Sequence, residues 1–484
     1  MADVHCSPYA GTWYPGDEGE LGRLVEGALE RSLARTGPEL LPEPIAFVVP
    51  HAGLMYSGTV ACAAYLYLRA RRPRRVVVLG FSHRGGPAGV AIPDVQSFAT
   101  PLGETSVDAE AVAFLRSHPQ FRVVDEGLVC DHSVEMQLPL IRYTASAARI
   151  VPLYVGSMPA AEQHAAAQAL ARLAGADTLF LASSDFAHFG RAFGFQPFPA
   201  DDKAAERLAD LDRGAINDAG SLDPELFLEG LRQSGSNACG RAPVALLLRT
   251  LQALGGEEIF QQLLDYQTSG ELTGDFSHSV SYGALGYFPA SSFRLKPAEA
   301  EKLLDVAGLS LTRYLRDGTR VGKLPEVAPA LMRRGTAFVT LREQGKLRGC
   351  VGTPGRAAHL QFLIPRLALS AATEDSRFRP IPPGYAGELD VEISLLTPLK
   401  RVRDRGSYQL HEHGALLERG ERRSLLLPEV SLDRAWEADQ FWNALADKAN
   451  LSPDVYDQPG TRLHLFRTQK IRRAGLTCAA DTSC

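Results

Sequence analysis

The first part of the chain shows short apolar runs that alternate with segments of helical periodicity. Three of these runs, at residues 45–49, 76–79 and 178–181, are mostly rich in β-branched residues and end in a polar or glycine turn. Segments with apolar positions at helical spacing separate them, as at 59–69 and 160–173. Buried strands that alternate with helices are typical of a layered α/β sheet. The pattern therefore predicts an α/β domain in the first part of the chain.

The pattern changes near residue 297, and this change predicts a domain boundary. A closing strand is predicted at 282–289, and Pro297 then opens an amphipathic helix at 298–316, because proline is favoured in the first turn of a helix. We therefore predict a first domain at 1–292 and a second domain at 297–476.

The second part combines hairpins with helices. Hairpins are predicted at 336–351 and 415–427, and helices at 360–373 and 434–449. Such a mixture is typical of an α+β domain. The last residues, 477–484, are predicted to form a flexible tail.

Composition narrows the class of protein. The net charge of −5 over 484 residues gives no reason to expect nucleic acid as a main partner. No signal peptide is visible, and no apolar stretch approaches the ~18 residues that a membrane helix needs. The seven cysteines are scattered, and such an odd number favours reduced thiols over a disulfide framework. We therefore expect a cytoplasmic protein that binds neither nucleic acid nor membrane.

Polar side chains with metal-binding or acid–base chemistry follow three of the predicted strands. The three runs end next to His51, next to His83, and next to Asp185 and His188, respectively. In open α/β sheets, ligands bind beyond the carboxyl ends of the strands. We therefore expect these four side chains at one edge of the sheet.

A cysteine adds a fourth signal. Cys239 stands just before a helix predicted to begin near Pro243, and a helix N-terminus favours the thiolate form. His51, His83 and Cys239 could together form a metal site with open positions, and imidazole with thiolate suits iron, copper or zinc. Alternatively, each histidine is a hydrogen-bonded polar residue near a loop and the cysteine simply packs. The grouping at strand ends favours the metal site.

A second pair of residues stands near a helix predicted at 134–143. His132 and Glu135 are three residues apart and so share one helical face, where they could orient ligands or move protons in catalysis. Alternatively, Asp131 is the N-cap and Glu135 supports the first turn. Both interpretations remain open.

In the second domain, Cys350 stands between two glycines at the end of a hairpin strand. The glycines let the backbone approach a ligand closely. Arg348 could pair with a carboxylate or phosphate and activate the thiol for catalysis. The alternative is a glycine-bearing strand end with a buried cysteine. The polar segment at 372–378 could be functional or a solvated helix end.

Several motifs of the first domain occur in the order of the Memo family signature. They are AGTWYP at 10–15, HAG at 51–53, DHSVEMQLP at 131–139, SSDFAH at 183–188 and CGR at 239–241. The chain resembles this family, whose members are similar in fold to class III extradiol dioxygenases. The resemblance implies one iron or copper ion held by His51, His83 and Cys239, with zinc as another occupant of purified protein. It also implies that Asp185 and His188 line the pocket, with His188 in the acid–base position.

Motifs of the second domain resemble the AMMECR family. They are LRGCVGT at 347–353, EDSRF at 374–378, VEISLLTP at 391–398, HGALLE at 413–418 and LLLPEV at 425–430. The resemblance implies a compact α+β fold. Both families are typically encoded together with a radical-SAM protein, in what is called the AmmeMemoRadiSam system. This sequence has no motif of three closely spaced cysteines, so we expect the radical-SAM protein to be a separate partner.

Three functions follow from these patterns. The first is a dioxygenase-like, metal-dependent redox enzyme or enzyme subunit, using non-haem iron or copper on a small organic substrate. The second is a non-enzymatic adaptor whose Memo-like pocket binds a peptide or an anionic ligand. The third is thiol chemistry at Cys239 or Cys350.

Overall fold

The computed structural model describes residues 2–86, 88–320, 329–354 and 357–476. The chain forms two compact units. The first contains residues up to 36 together with 42–289, and the second contains residues 37–41 together with those from 290 onward. The predicted tail at 477–484 lies outside the described residues.

The first unit alternates strands and helices along most of its length. Its strands are β1 (Ala2–Cys6), β2 (Ala46–Val49), β3 (Arg75–Gly80), β4 (Val90–Pro93), β5 (Val95–Thr100), β6 (Gly103–Ser106), β7 (Phe121–Val124), β8 (Arg149–Val155), β9 (Thr178–Ser183), β10 (His188–Gly190), β11 (Ile259–Thr268) and β12 (His278–Pro289). Its helices are α1 (Glu18–Thr36), α2 (Leu54–Arg71), α3 (Ala109–Arg116), α4 (Glu126–Val129), α5 (His132–Glu135), α6 (Leu138–Thr144), α7 (Ala160–Ala171), α8 (Ala204–Ala219), α9 (Pro224–Ser234), α10 (Arg241–Ala253) and α11 (Ser269–Thr273).

The main sheet of this unit has the strand order β10-β12-β2-β9-β3-β8-β4-β7, and β11 pairs with β12. Strands β2, β9, β3 and β8 are parallel neighbours. Their carboxyl ends therefore meet at one edge, where Val49 pairs with Ser183 and Leu79 pairs with Ala182. A small second sheet has the order β1-β5-β6. The predicted α/β domain is confirmed.

Helices cover both faces of the main sheet, which explains why its central strands are apolar at consecutive positions. Every residue of β2 is buried. Val48 belongs to the large core that includes Leu247 of α10. Phe47 points to the other face, where its ring lies 5.3 Å from that of Tyr67 on α2.

The predicted helix at 134–143 is interrupted in the structure. The chain forms the short helix α5 and then a second helix, α6, with Pro139 in its first turn. Proline has no N–H to donate within a continuous helix, and its ring clashes with the preceding turn. The break leaves His132 and Glu135 together on α5.

The second unit contains two sheets. Its strands are β13 (Arg334–Glu343), β14 (Lys346–Gly352), β15 (Ala358–His359), β16 (Leu389–Leu396), β17 (Lys400–Val402), β18 (Gly414–Arg419), β19 (Arg422–Leu426), β20 (Arg462–Phe466) and β21 (Thr468–Leu476). Its helices are α12 (Pro297–Asp317), α13 (Leu360–Thr373), α14 (Pro428–Asp433) and α15 (Ala438–Lys448). One sheet has the order β14-β13-β16-β21 with β15 on β13, and the other has the order β17-β20-β18-β19. The predicted α+β arrangement is confirmed.

The two predicted hairpins are β13–β14 and β18–β19. The first turns at Gln344 and Gly345, which both have positive φ angles. The helix predicted at 434–449 begins later, at Ala438, because Ala435 is left-handed and Glu437 caps the new helix.

None of the described helices is long and apolar enough to cross a membrane.

Candidate metal centre

His51 lies at the carboxyl edge of the main sheet and is 2% exposed. Its Nε2 atom is 3.1 Å from Sγ of Cys239, and its Nδ1 atom is 2.8 Å from Oγ of Ser183. Its backbone N–H donates to Oδ1 of Asp185 at 2.9 Å. The loop after β2 is thereby tied to β9 and to the segment before α10.

A chain of buried hydrogen bonds supports this imidazole. Nε2 of Gln137 donates to Oγ of Ser183 at 3.1 Å and to the Pro50 carbonyl at 3.0 Å. Tyr65 donates its hydroxyl hydrogen to Oε1 of Gln137 at 2.8 Å. When Nδ1–H of His51 donates to Ser183, the lone pair of Nε2 faces Cys239. Metal-binding histidines are commonly oriented in this way by a hydrogen bond at the other ring nitrogen.

Cys239 and Asp185 hold each other in place. The backbone N–H of Asp185 donates to Sγ of Cys239 at 3.2 Å, and the backbone N–H of Cys239 donates to the Asp185 carbonyl at 3.3 Å. A Cβ atom at Gly240 would lie 2.3 Å from the Ser183 carbonyl oxygen, so glycine is required there for this close approach.

The prediction that the helix N-terminus favours a thiolate at Cys239 is opposed by the local environment. Burial and the nearby charge of Asp185 raise the pKa of the Cys239 thiol. Burial also raises the pKa of Asp185. A bound cation has the opposite effect, since it deprotonates a coordinating thiol. A thiolate at Cys239 is therefore expected only when a positive ion lies next to the sulfur.

His83, at the end of β3, is exposed and held by Asp131. The backbone N–H of His83 donates to Oδ2 of Asp131 at 3.0 Å, and its Nδ1 lies 2.9 Å from Oδ1. Burial opposes ionisation of Asp131, but the hydrogen bonds from His83 and Ser133 and the nearby His132 together outweigh it and lower the pKa of the carboxyl. Asp131 is also the N-cap of α5, because it accepts from the Ser133 N–H at 2.9 Å.

His132 joins this edge of the sheet. Its ring stacks on that of His83 with centroids 4.1 Å apart and an interplanar angle of 18°. The ring centroid of His51 is 5.4 Å from that of His132 and 5.6 Å from that of His83. Trp13 covers His132 from the other side, with ring centroids 4.4 Å apart. Trp13 of the AGTWYP motif therefore forms one wall of the site. The sequence patterns did not indicate this role.

The candidate ligands form two overlapping groups around His51. Among the described residues, the ligand atoms of His51, His83 and His132 all lie within 4.8 Å of one another, and so do those of His51, Asp185 and Cys239. The predicted trio of His51, His83 and Cys239 is thus divided between two groups that share His51. His132, for which the sequence left open a role in orienting ligands or moving protons, offers a further ligand atom in the first group.

These donors fit a transition-metal ion. Two ligand atoms on one tetrahedral ion, at about 2.0 Å for nitrogen and 2.3 Å for sulfur, lie about 3.6 Å apart. The 3.1 Å between Nε2 of His51 and Sγ of Cys239 would therefore widen by about half an ångström around an ion. Imidazole and thiolate favour iron, copper or zinc over magnesium or calcium.

His188 is the first residue of the short strand β10. Its backbone N–H donates to Oδ1 of Asn237 at 2.8 Å, and Asn237 returns a hydrogen bond to the His188 carbonyl at 2.9 Å. Nδ1 of His188 lies 3.0 Å from the Phe186 carbonyl. Because a carbonyl can only accept, Nδ1 carries the hydrogen and Nε2 is left as a proton acceptor. His188 is also close enough to oppose the burial effect on the pKa of Asp185.

A cleft of about 500 Å³ opens beside Cys239. Its lining includes Phe81, Tyr154, Met158, Cys239, Arg241 and Leu246. The lining is mostly apolar, but Arg241 is an exposed cation at the first position of α10. The cleft has the size and composition of a small-molecule site.

Glu135 and His132 are both on α5, but their side chains belong to different groups of candidate ligands. The ligand atom of Glu135 groups with those of His5 and Cys130 rather than with the three histidines. Our sequence analysis had not assigned a role to His5 or Cys130. Their positions, 125 residues apart along the chain, carry no spacing signal that could have linked them.

Cys350 lies on β14, in the second unit, and is partly buried. Its Sγ accepts from the Thr340 hydroxyl at 3.2 Å, and its backbone N–H donates to Oδ2 of Asp375 at 2.8 Å. Arg377 donates to its carbonyl at 3.3 Å. Arg348, which we had paired with the thiol, donates instead to the backbone carbonyl of Arg379 at 2.6 Å. The 372–378 segment therefore faces Cys350 directly.

Comparison with known proteins agrees with this division. Residues 7–286 match the family model described as Memo-like protein, and residues 304–471 match the model described as AMMECR1.

Relatives with Memo names align along the first unit. The memo-1 homolog of Caenorhabditis elegans is 30% identical over 290 residues, which is 58% of this chain and 81% of the worm protein. A MEMO1 family protein of Methanopyrus kandleri is 32% identical over 292 residues, which is 57% of this chain and 96% of the archaeal one.

Among solved structures, the uncharacterized protein PH0010 of Pyrococcus horikoshii is similar at 27% identity and a TM-score of 0.35, over 36% of this chain and 92% of that one. The uncharacterized protein JW3007 of Escherichia coli is similar at 19% identity and a TM-score of 0.35, over 50% of this chain and 99% of that one. The matches to both family models confirm the resemblances in the sequence: the chain belongs to the Memo family and carries an AMMECR1 domain after its Memo domain.

Proposed function

We propose that the first unit is a metal-dependent oxidoreductase, or a subunit of one, that uses non-haem iron or copper on a small organic substrate. The observation that carries this proposal is the 3.1 Å approach of Nε2 of His51 to Sγ of Cys239. Two further imidazoles, those of His83 and His132, and the carboxylate of Asp185 stand around that pair. Nitrogen and sulfur donors of this kind suit redox-active transition metals.

The ligand roles follow from the hydrogen bonds. His51 and Cys239 are the central ligands, since His51 is held by Ser183 at the end of β9 and Cys239 by Asp185 just after that strand. His83 is a further ligand that Asp131 orients through its Nδ1. His132 lies against His83 and adds another nitrogen donor. An iron or copper ion held by these side chains would supply a redox couple.

The substrate occupies the cleft beside Cys239 in this proposal. Its apolar lining would hold a carbon skeleton, and Arg241 would pair with a carboxylate or phosphate on the substrate. His188 moves a proton through Nε2, because its Nδ1 is engaged by the Phe186 carbonyl. The substrate class is therefore a small anionic organic molecule.

We propose a separate radical-SAM protein as the partner that supplies or uses the small molecule, as the resemblance implied. The AMMECR1 domain after the Memo domain supports this proposal, because the resemblance links both families to such a protein.

Oxygen uptake by iron-loaded protein tests the proposed activity. The protein would be loaded with Fe(II) under anaerobic conditions and then mixed with air and a series of aromatic diols with and without a carboxylate. We expect uptake that depends on a carboxylate-bearing diol. His188→Gln should keep the iron but reduce turnover by about 10²- to 10⁴-fold, the usual contribution of a general acid or base.

The matched control is His164→Gln, an exposed histidine on α7, which should leave turnover unchanged. Uptake that persists at the wild-type rate in His51→Ala would contradict the proposal. Metal-free protein that binds a protein partner as well as the metal-loaded form would favour the adaptor function instead.

A further inference from the structure

A second cluster of metal-binding side chains lies outside the site described above. It contains His5 of β1, Cys130 at the end of α4 and Glu135 of α5, and their ligand atoms all lie within 4.8 Å of one another. Nε2 of His5 is 3.2 Å from Oε1 of Glu135, and Nδ1 of His5 is 3.6 Å from Oε1 of Glu126. Two distant segments of chain, β1 and residues 126–135, thus bring an imidazole, a thiol and two carboxylates together.

Four buried polar atoms of this cluster have no hydrogen-bond partner in the described part of the chain. Glu135 is 0% exposed, and among the described residues neither of its carboxylate oxygens has a hydrogen-bond partner. The same holds for Nε2 of His5 and Oε2 of Glu126. A buried carboxylate without hydrogen bonds is strongly unfavourable unless a positive charge compensates it.

Two kinds of positive charge could compensate Glu135. The first is a proton on His5, which would make a buried His5–Glu135 ion pair. The second is a divalent cation between the two residues. An ion pair alone leaves Oε2 of Glu135 without a partner within the described ranges, whereas a cation would engage nitrogen, sulfur and oxygen donors together.

We propose that His5, Cys130 and Glu135 bind a zinc ion through Nε2 of His5, the Cys130 sulfur and the Glu135 carboxylate, while Glu126 faces Nδ1 of His5 and orients the imidazole. Zinc takes nitrogen, sulfur and carboxylate ligands in tetrahedral sites, so three protein donors leave one position for a water molecule. The burial of Glu135 keeps such an ion away from bulk solvent.

This zinc ion would tie the N-terminal strand to the helix that carries His132. Glu135 and His132 are on the same short helix, α5. The residues that follow β1 include Tyr9 and Trp13, whose rings lie 5.7 and 4.4 Å from that of His132. A zinc ion between β1 and α5 would therefore hold Tyr9 and Trp13 against His132 of the first site.

The test uses full-length protein in which the first site has been removed by His51→Ala and Cys239→Ala. This background should retain one zinc per chain after dialysis. Its cobalt-substituted form should show a thiolate-to-cobalt charge-transfer band, because Cys130 supplies the sulfur. Adding Cys130→Ser should abolish the band, and adding Glu135→Gln should weaken zinc binding by at least about 10-fold. Cys6→Ser, next to His5 on β1, is the matched control and should keep both zinc and band.

A second measurement does not depend on folding of the added variants. In the same background, zinc should protect Cys130 from alkylation, and a chelator should remove this protection, as read by mass spectrometry of the Cys130 peptide. A folded background that binds no zinc, a cobalt–thiolate band that survives Cys130→Ser, or equal alkylation with and without zinc would each overturn the proposal. The first two results would indicate a His5–Glu135 ion pair and an adventitious thiol, respectively.

Discussion

Nε2 of His51 lies 3.1 Å from Sγ of Cys239, although 188 residues separate the two along the chain. The parallel order β2-β9-β3 explains this contact, because it places the ends of three strands side by side. Gly240 then lets the segment before α10 approach β9 closely enough for the thiol to reach the imidazole. Sheet topology and one glycine therefore build the centre of the site.

Asp131→Asn tests the support of His83. The carboxylate accepts from both the backbone N–H of His83 and that of Ser133, and it faces Nδ1 of His83. We expect metal affinity of the first site to fall by about 10- to 100-fold, the usual effect of removing a partner that orients a ligand. Competition with a chromophoric chelator measures this affinity. Asp125→Asn, at the N-cap of α4, is the control and should bind metal as the wild type does.

Gly240→Ala tests the close approach of α10 to β9. The added methyl group would lie 2.3 Å from the Ser183 carbonyl oxygen, so the backbone must shift. We expect a loss of about 1–3 kcal/mol in the free energy of unfolding of the first unit, together with weaker metal binding. Gly214→Ala on α8 meets no atom within 4 Å and should instead stabilise the helix by up to about 1 kcal/mol. Equal unfolding midpoints for the two variants would show that the segment before α10 does not pack tightly against β9.

The second unit should lose stability in mild acid through His464. Burial and the neighbouring Arg401, Arg462 and Arg423 lower the pKa of this histidine to about 4. Its pKa in the unfolded chain is about 6.5, so between pH 6.5 and 4 the unfolded chain binds a proton that the folded one does not. Stability therefore decreases as pH falls through this range, by about 3 kcal/mol in total.

Urea unfolding followed by tryptophan fluorescence measures this effect, since Trp442 is buried in the second unit. His464→Gln should reduce the loss of stability between pH 6.5 and 4. His413, whose pKa burial also lowers to about 4, would account for the remainder. His411→Gln, at an exposed position, is the control. A pH dependence that is identical in wild type and His464→Gln would refute the assignment.

Asp375→Ala tests the environment of Cys350. The carboxylate accepts from the Cys350 backbone N–H at 2.8 Å and from Arg377 at 2.7 Å. Its removal leaves a partly buried N–H without an acceptor, and we expect a loss of about 1–3 kcal/mol in the stability of the second unit. Asp305→Ala removes an exposed ion pair with Arg473 and should cost less than about 1 kcal/mol. Equal losses in the two variants would argue against a structural role for Asp375.

Much of the architecture was predictable, because local patterns specify it. The apolar runs that precede His51, His83 and Asp185 are buried strands that lie side by side in the sheet. Because each polar residue follows the end of its strand, its place at the edge of the sheet could be predicted. The order of those strands in the sheet was not predictable from periodicity. This order decides that β9 lies between β2 and β3, and hence which ligand atoms meet.

The sequence patterns did not indicate which distant segments the candidate residues contact. Arg348 is two residues from Cys350 in sequence, yet it bonds to the Arg379 carbonyl, and Arg377 lies beside the cysteine instead. His132 and Glu135 share a short helix but join different groups. Spacing along one element shows which side chains share a face, but not which distant residue they contact.

Metal analysis of four proteins tests the central claim most directly. Wild type, His51→Ala and Cys239→Ala would be purified anaerobically, and their iron, copper and zinc contents measured per chain. Cys62→Ala, a buried cysteine on α2, would serve as the thiol control. We expect His51→Ala and Cys239→Ala each to lose about one equivalent of iron or copper that wild type and Cys62→Ala retain. Equal iron and copper contents in all four proteins would contradict a shared ion between His51 and Cys239.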